Sequence, residues 1–176
     1  MSKFTQCAAV LVAGLFLARA AAADQKPPIT DKVPADQEFL AKALEDSVLE
    51  VQLAEKALDK SSNDRVKKFA QRMIDDHSKA RQELMEIAKD MKLGVAAGLS
   101  QEYRELMLRL TKAEGAEFDR VYMNHMVEDH EKDVAEFESY AKNGKHDRLR
   151  AFARKTLPTL REHLKMARDV ASDLKK

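Results

Sequence analysis

The chain has 176 residues, with 31 lysines and arginines against 30 aspartates and glutamates, and a single cysteine, Cys7. Nearly equal numbers of basic and acidic residues give no sign of the concentrated basic surface that nucleic acids require. No nucleic acid partner is therefore expected. Because Cys7 lies in a segment predicted to be removed, the mature protein should have no disulfide, zinc-thiolate site or catalytic cysteine.

Residues 1–23 have the order of regions found in a secretory signal peptide. Lys3 precedes an apolar run over residues 7–18, and the small residues 20–23 follow it. This order predicts cleavage after Ala23 and a periplasmic or secreted protein. The apolar run is short for a membrane helix, and we expect no transmembrane span in the mature chain. Residues 24–34 contain Pro27, Pro28 and Pro34 and are predicted to form a disordered tether.

Residues 35–176 have the composition of a helical domain, because Ala, Leu, Glu, Lys and Arg dominate and long stretches lack glycine and proline. Four long helices are predicted over residues 35–60, 64–92, 116–142 and 147–174. A short extra helix is predicted over residues 100–112. Residues 64–72 align without gaps on residues 147–155, which indicates two related helical hairpins. Such hairpins pack as an all-α four-helix bundle.

The apolar seams of the first two predicted helices set which side chains should face the core. The second helix has an unbroken seam in steps of three and four residues, with His77 at its middle. Its members are Val66, Ala70, Met73, His77, Ala80, Leu84, Ile87 and Met91. The expected seam of the first helix is Leu40, Leu44, Ser47, Val51, Ala54 and Leu58.

A short motif occurs twice, over residues 73–79 and 126–132, and each copy has a methionine four residues before a histidine. Projection onto a helix places both residues of each pair toward the core. The methionines suit a copper site, but they are also good fillers of an irregular core. The acidic neighbours of the core histidines project about 100° or more away from them. They are predicted to be surface residues or interhelical partners of basic side chains rather than ligands. These neighbours are Asp75, Asp76, Glu128, Asp129 and Glu162.

Each long helix also places a polar side chain near the middle of the predicted bundle. These residues are Glu50, His77, His130 together with Asp133, and His163. Inward carboxylates and imidazoles on facing helices are how helical bundles build metal sites, and this set suits copper, iron or zinc. The alternative is a buried polar network, including Tyr122, that only sets the register of the helices.

An enzymatic role has little support in the sequence. A di-iron site requires Glu-x-x-His pairs, and the residues three positions before His77, His130 and His163 are Ile74, Val127 and Leu160. The chain has neither a serine nucleophile elbow nor a glycine-rich phosphate loop. A redox enzyme with an unconventional metal site is the weakest of the function classes considered.

Several motifs, in order, resemble the bacterial ferritin-like family of unknown function numbered 4142, over about residues 37–170. They are residues 50–57, residues 66–70 leading to Asp76-His77, residues 115–122 leading to Asp129-His130, and Phe152-Ala153 leading to residues 157–160 and His163-Leu164. The resemblance implies an exported ferritin-like bundle, of a kind often described as an outer-membrane protein. It implies that Glu50, His77, His130 and His163 occupy the polar positions that recur in the family. It implies no known reaction.

Two functions follow as hypotheses. In the first, the exported bundle binds a transition metal ion through Glu50, His77, His130 and His163 in an envelope or stress-related role. In the second, the bundle is an interaction module whose surface binds an envelope protein, and the histidines are structural.

Overall fold

The computed structural model describes residues 35–93 and 101–175. This part of the chain forms five α-helices and contains no strand, so the predicted all-helical class is confirmed. The helices are α1 (Ala35–Lys60), α2 (Asp64–Asp90), α3 (Gln101–Lys112), α4 (Gly115–Asn143) and α5 (Asp147–Asp173). None of these helices combines the length and apolar character needed to span a membrane. The predicted signal peptide and tether lie outside the described residues.

Short capped turns join the helices of each hairpin. Asn63 caps α2, where its Oδ1 accepts hydrogen bonds from the backbone N–H groups of Arg65 (2.9 Å) and Val66 (3.4 Å). His146 caps α5 in the same way, with Nδ1 accepting from the Leu149 N–H at 3.4 Å. Because these connections are so short, α1 packs along α2 and α4 packs along α5.

The two hairpins pack together through α2 against α5 and α1 against α4, while α3 contacts α4. Their buried apolar side chains form two clusters. The first cluster includes Leu53, Phe69 and Tyr122, and the second includes Phe39, Leu84 and Phe152. Along each long helix, most of the buried polar residues lie where the stretch that belongs to one cluster gives way to the stretch of the other; Asp119 is an exception, within the first cluster's stretch of α4. The structure thus has a polar layer with apolar packing on both sides.

The beginning of α1 is attached to the turn between α4 and α5. Asp36 Oδ1 accepts hydrogen bonds from the Tyr140 hydroxyl at 2.6 Å and from the Lys145 N–H at 3.1 Å. The ring of Phe39 stacks on that of Tyr140 with 3.8 Å between the centroids. Burial acts to raise the pKa of Asp36, but these hydrogen bonds outweigh it and hold the pKa below its ordinary value of 3.8.

Asp36→Asn is expected to lower the free energy of unfolding at pH 7 by less than about 1 kcal/mol, because the carboxylate is partly exposed and screened. Since the folded-state pKa lies below the unfolded value, the ionised carboxylate stabilises the fold above pH 3.8. That contribution is lost as the pH falls through the folded-state pKa. Urea denaturation at pH 7 and pH 3 measures the difference, with Glu38→Gln as an exposed control on α1. If Asp36→Asn lowers the free energy of unfolding relative to the wild type equally at both pH values, this account is contradicted.

Candidate metal centre

The four residues predicted from the sequence to form a site lie together in the polar layer. Glu50 comes from α1, His77 from α2, His130 from α4 and His163 from α5, and all four side chains are buried. One ring nitrogen from each histidine lies within 4.8 Å of the others. Glu50 contacts two of the rings, with Oε2 at 2.6 Å from His77 Nδ1 and Oε1 at 3.4 Å from His130 Nε2. Their role as metal ligands stays a prediction.

The hydrogen bonds of His130 and His163 determine which ring nitrogens carry hydrogen. His130 Nδ1 lies 2.9 Å from the backbone oxygen of Met126, which can only accept, so Nδ1–H is the donor. His163 Nε2 lies 3.0 Å from Asp76 Oδ2. Burial acts to raise the pKa of Asp76, but hydrogen bonds from Arg72 and His163 outweigh it and keep that pKa low. Asp76 is therefore an ionised acceptor, and His163 donates through Nε2–H.

These assignments leave two nitrogen lone pairs facing each other. In the neutral rings, the free lone pairs are on His130 Nε2 and His163 Nδ1, and these two atoms are 3.4 Å apart. Burial lowers the pKa of His130 well below its ordinary value, and burial together with His77 lowers the pKa of His163 to about 4. A proton between the rings is therefore disfavoured at neutral pH. The arrangement instead suits an electron-pair acceptor that binds both nitrogens.

Other atoms of the cluster lack the hydrogen bonds that buried polar groups normally have. Both Glu50 oxygens and His77 Nε2 are buried and have no hydrogen-bond partner within the described part of the chain. His77 Nδ1 and Glu50 Oε2 approach each other without the geometry of a hydrogen bond. Leaving such groups unsatisfied costs free energy, about 1–3 kcal/mol for each neutral group.

The residues present therefore fit a transition metal ion. Imidazoles and a carboxylate are suitable ligands for such ions, and bound ions would satisfy the unpaired atoms. The Met126 carbonyl and the Asp76 carboxylate orient His130 and His163 as the outer partners of metal-binding histidines do. Met73 and Met126 are fully buried in the first apolar cluster, which is the packing role considered for them.

One prediction about the acidic neighbours was wrong: Asp129 was predicted to face outward, but it is buried. The reason is that α4 packs against α1, α3 and α5, so its buried arc is wide enough to include Asp129. Asp76 is partly exposed and contacts Arg72 on its own helix and His163 on α5, which fits the role of a surface or interhelical partner. The other three neighbours are exposed as predicted: Asp75, Glu128 and Glu162.

Asp129 belongs to a second group of buried carboxylates. One oxygen from each of Glu50, Asp129 and Asp133 lies within 4.8 Å of the others. Asp133 is buried, as predicted from its helix projection. Asp129 lies three residues after Met126 and four before Asp133, and this helical spacing is the signal that could have identified it.

A small cavity borders the polar layer. Its volume is about 30 Å³, larger than the roughly 10–15 Å³ that one water molecule needs by the same kind of measure. Glu50, His77 and His163 line it together with Asp133. The cavity therefore adjoins both the imidazole group and the carboxylate group.

The fold and this cluster define the class of protein, a helical bundle with histidines and carboxylates buried in one internal layer. The chain belongs to the family DUF4142, a domain of unknown function, whose model matches residues 18–170. The resemblance noted in the sequence is thereby confirmed. No curated protein sequence matches this chain significantly.

Solved structures with the same fold include two members of the family DUF305. One, from Streptomyces coelicolor and described as secreted, has a TM-score of 0.69 at 13% identity, covering 80% of this chain and 92% of that chain. A fragment from Deinococcus radiodurans has a TM-score of 0.70 at 16% identity, covering 80% and 97%. CopM, solved in its Cu(II)-bound form, has a TM-score of 0.68 at 20% identity, covering 78% and 96%. These likenesses establish a shared fold.

Proposed function

We propose that this protein is an exported, ferritin-like four-helix bundle that binds a transition metal ion through His77, His130, His163 and Glu50. It is non-enzymatic and acts in the cell envelope or in a stress response. The observation that carries the proposal is the pair of opposed lone pairs on His130 Nε2 and His163 Nδ1, 3.4 Å apart. Two acceptors held face to face in a buried layer are explained by an ion that both of them bind.

Copper is the first ion to test, with zinc and iron next. Imidazole is a good ligand for all three, so the donor set alone admits each of them. The similarity in fold to CopM, whose structure contains Cu(II), supports copper. The metal would be held by ring nitrogens that Met126 and Asp76 already orient, so little rearrangement is needed on binding.

Export is part of the proposal. The basic, apolar and small-residue regions of residues 1–23 support a cleaved signal peptide ending at Ala23. The DUF305 protein from Streptomyces coelicolor with the same fold is described as secreted, which agrees with a role outside the cytoplasm.

The test is a metal titration of the purified protein without a histidine tag. Isothermal titration calorimetry with Cu(II), Zn(II) and Fe(II) should detect stoichiometric binding of at least one of them. His130→Asn and His163→Asn each remove a ligand nitrogen, so each should weaken binding by at least the factor of about 10–100 typical of losing an outer partner. Asp76→Asn, which removes such an outer partner, should fall within that range.

His146→Asn is the matched control, because it removes one histidine outside the cluster and retains an acceptor for the α5 cap. Its affinity should equal that of the wild type. The proposal fails if the wild type binds no metal stoichiometrically, or if His146→Asn weakens binding as much as the cluster variants do.

The alternative is an interaction module whose core histidines are structural and whose surface binds an envelope protein. A purely structural network should satisfy its own members, whereas both oxygens of Glu50 find no hydrogen bond among the described residues. This observation favours the metal. Under the alternative, no metal binds, cluster variants change stability alone, and only surface substitutions abolish recovery of a partner from envelope extracts.

A further inference from the structure

Glu50, Asp129 and Asp133 bring three carboxyl groups together beside the histidines. Their exposed fractions are 1%, 5% and 3%, so all three are effectively removed from solvent. One oxygen of each lies within 4.8 Å of the other two. Both Glu50 oxygens, Asp129 Oδ2 and Asp133 Oδ1 are buried and accept no hydrogen bond from the described residues. Oxygens of like charge in this arrangement need a cation or protons to coexist.

The basic groups near these three carboxyl groups supply little of the positive charge that would balance them. Lys42 Nζ lies 3.8 Å from Asp133 Oδ1, but it is closer to Asp46 (2.6 Å) and Glu136 (3.1 Å). One ammonium is therefore shared among three carboxylates.

His125 is a basic neighbour of Asp129 on the same helix. Its Nε2 lies 3.9 Å from Asp129 Oδ2. This distance is too long for a hydrogen bond, and neither atom has another hydrogen-bond partner among the described residues, so His125 does not satisfy this oxygen.

We propose that Glu50, Asp129 and Asp133 form a second cation site, for a divalent ion that prefers oxygen ligands, next to the imidazole site. Carboxylates together with water are the ligands that manganese, magnesium and calcium prefer, whereas imidazoles suit copper and zinc. The imidazoles of the polar layer would bind one kind of ion, and its carboxylates would bind the other. Glu50 is common to both sites, because it contacts His77 and His130 and also belongs to the carboxylate group.

The small cavity of about 30 Å³ supports this assignment. It borders Glu50 and Asp133 and has room for at least one water molecule. Ions that prefer oxygen commonly keep water in their coordination shell, so three carboxylates and a solvent molecule make a suitable set. The second site rests on the proposed function only through the shared Glu50, since Asp129 and Asp133 are not part of the imidazole group.

Manganese is the probe for the test, because electron paramagnetic resonance distinguishes bound from free Mn²⁺. The full protein is titrated with Mn²⁺ alone and again after loading with the metal that the imidazole site binds. We expect one tight Mn²⁺ per chain in both cases. Asp133→Asn should weaken Mn²⁺ binding at least tenfold and leave the affinity of the imidazole site within about threefold. His163→Asn should weaken binding at the imidazole site and leave the affinity for Mn²⁺ within about threefold.

Asp75→Asn is the matched control, because Asp75 is exposed on α2. It should change neither affinity. Asp133 Oδ1 accepts no hydrogen bond from the described residues, and Lys42 Nζ is closer to Asp46 and Glu136, so the isosteric Asn should keep the metal-free fold intact. If Asp133→Asn nevertheless fails to fold by circular dichroism, Asp129→Asn serves as the second variant with the same expected loss.

The two proposals fail separately. If the wild type binds no Mn²⁺, or if Asp133→Asn and Asp75→Asn bind it equally, the second site is wrong whatever the result for copper or zinc. If Mn²⁺ binds with the expected dependence on Asp133 while no transition metal binds at the histidines, the second site stands and the proposed function is wrong.

Discussion

Glu50→Gln is expected to make the metal-free protein more stable and to abolish the stabilisation that a bound metal provides. The Glu50 carboxyl is buried, and burial together with Asp129 and Asp46 raises its pKa well above the ordinary value. Keeping this group in the core without a cation therefore costs free energy. The neutral amide avoids the cost of burying an unpaired charge, and we expect a gain of about 1–3 kcal/mol in the free energy of unfolding in the presence of a chelator.

The order of stabilities should reverse when metal is added. A ligand present at about 100 times its Kd stabilises the folded state by about 2.7 kcal/mol. The wild type should show such an increase, whereas Glu50→Gln lacks the ligand shared by both proposed sites and should show little. Urea denaturation with chelator and with excess metal measures both effects.

Glu55→Gln is the control for this experiment, because Glu55 is exposed on the same helix and the charge change is identical. It should leave the response to metal unchanged and alter stability by less than about 0.5 kcal/mol. An equal response to metal in Glu50→Gln and wild type would contradict the assignment of Glu50 as a ligand. A less stable metal-free Glu50→Gln would show that the carboxylate already has a compensating partner.

Phe69→Ala is expected to lower the free energy of unfolding by about 3–5 kcal/mol, a large part of the total of about 5–15 kcal/mol typical of a domain. Phe69 is fully buried in the first apolar cluster. Its ring packs edge-on against Tyr122 and against His130, with centroid distances of 6.2 and 6.5 Å. Truncation therefore leaves a cavity beside the polar layer and removes a support of the His130 ring.

The measurement is urea denaturation of Phe69→Ala beside Leu108→Ala, whose side chain is 61% exposed. The exposed control should lose less than about 0.5 kcal/mol. Because His130 loses a packing partner, Phe69→Ala should also weaken metal binding while it remains folded. A loss of stability without any change in metal affinity would mean that His130 is held by its other contacts alone.

The helices could be predicted well because their signals are local. The seam of α2 in steps of three and four residues placed His77 correctly in the core. The seam of α1 was less accurate, since Val51 and Leu58 are only partly buried while Leu49 and Leu53 are fully buried. α1 packs against both α2 and α4, so its buried face is wider than one seam.

In the candidate site, too, some features follow from single helices and others only from contacts between helices. Its four predicted residues converge because each one lies on the inward face of its own helix. Asp129 was predicted to face outward, and the partner of Asp76 was not identified, because projection treats each helix alone. Contacts between helices bring Asp76 to His163 and place Asp129 among buried carboxylates.

The sequence by itself determined which stretches are helical, that two hairpins repeat, and that Glu50, His77, His130 and His163 face inward. These properties depend on residue preference and on periodicity within one helix. Only the tertiary structure decided that the lone pairs of His130 and His163 oppose each other and that Glu50 lies between an imidazole group and a carboxylate group. Those relations depend on the rotation and register of neighbouring helices, which the packing of two apolar clusters on either side of the polar layer sets.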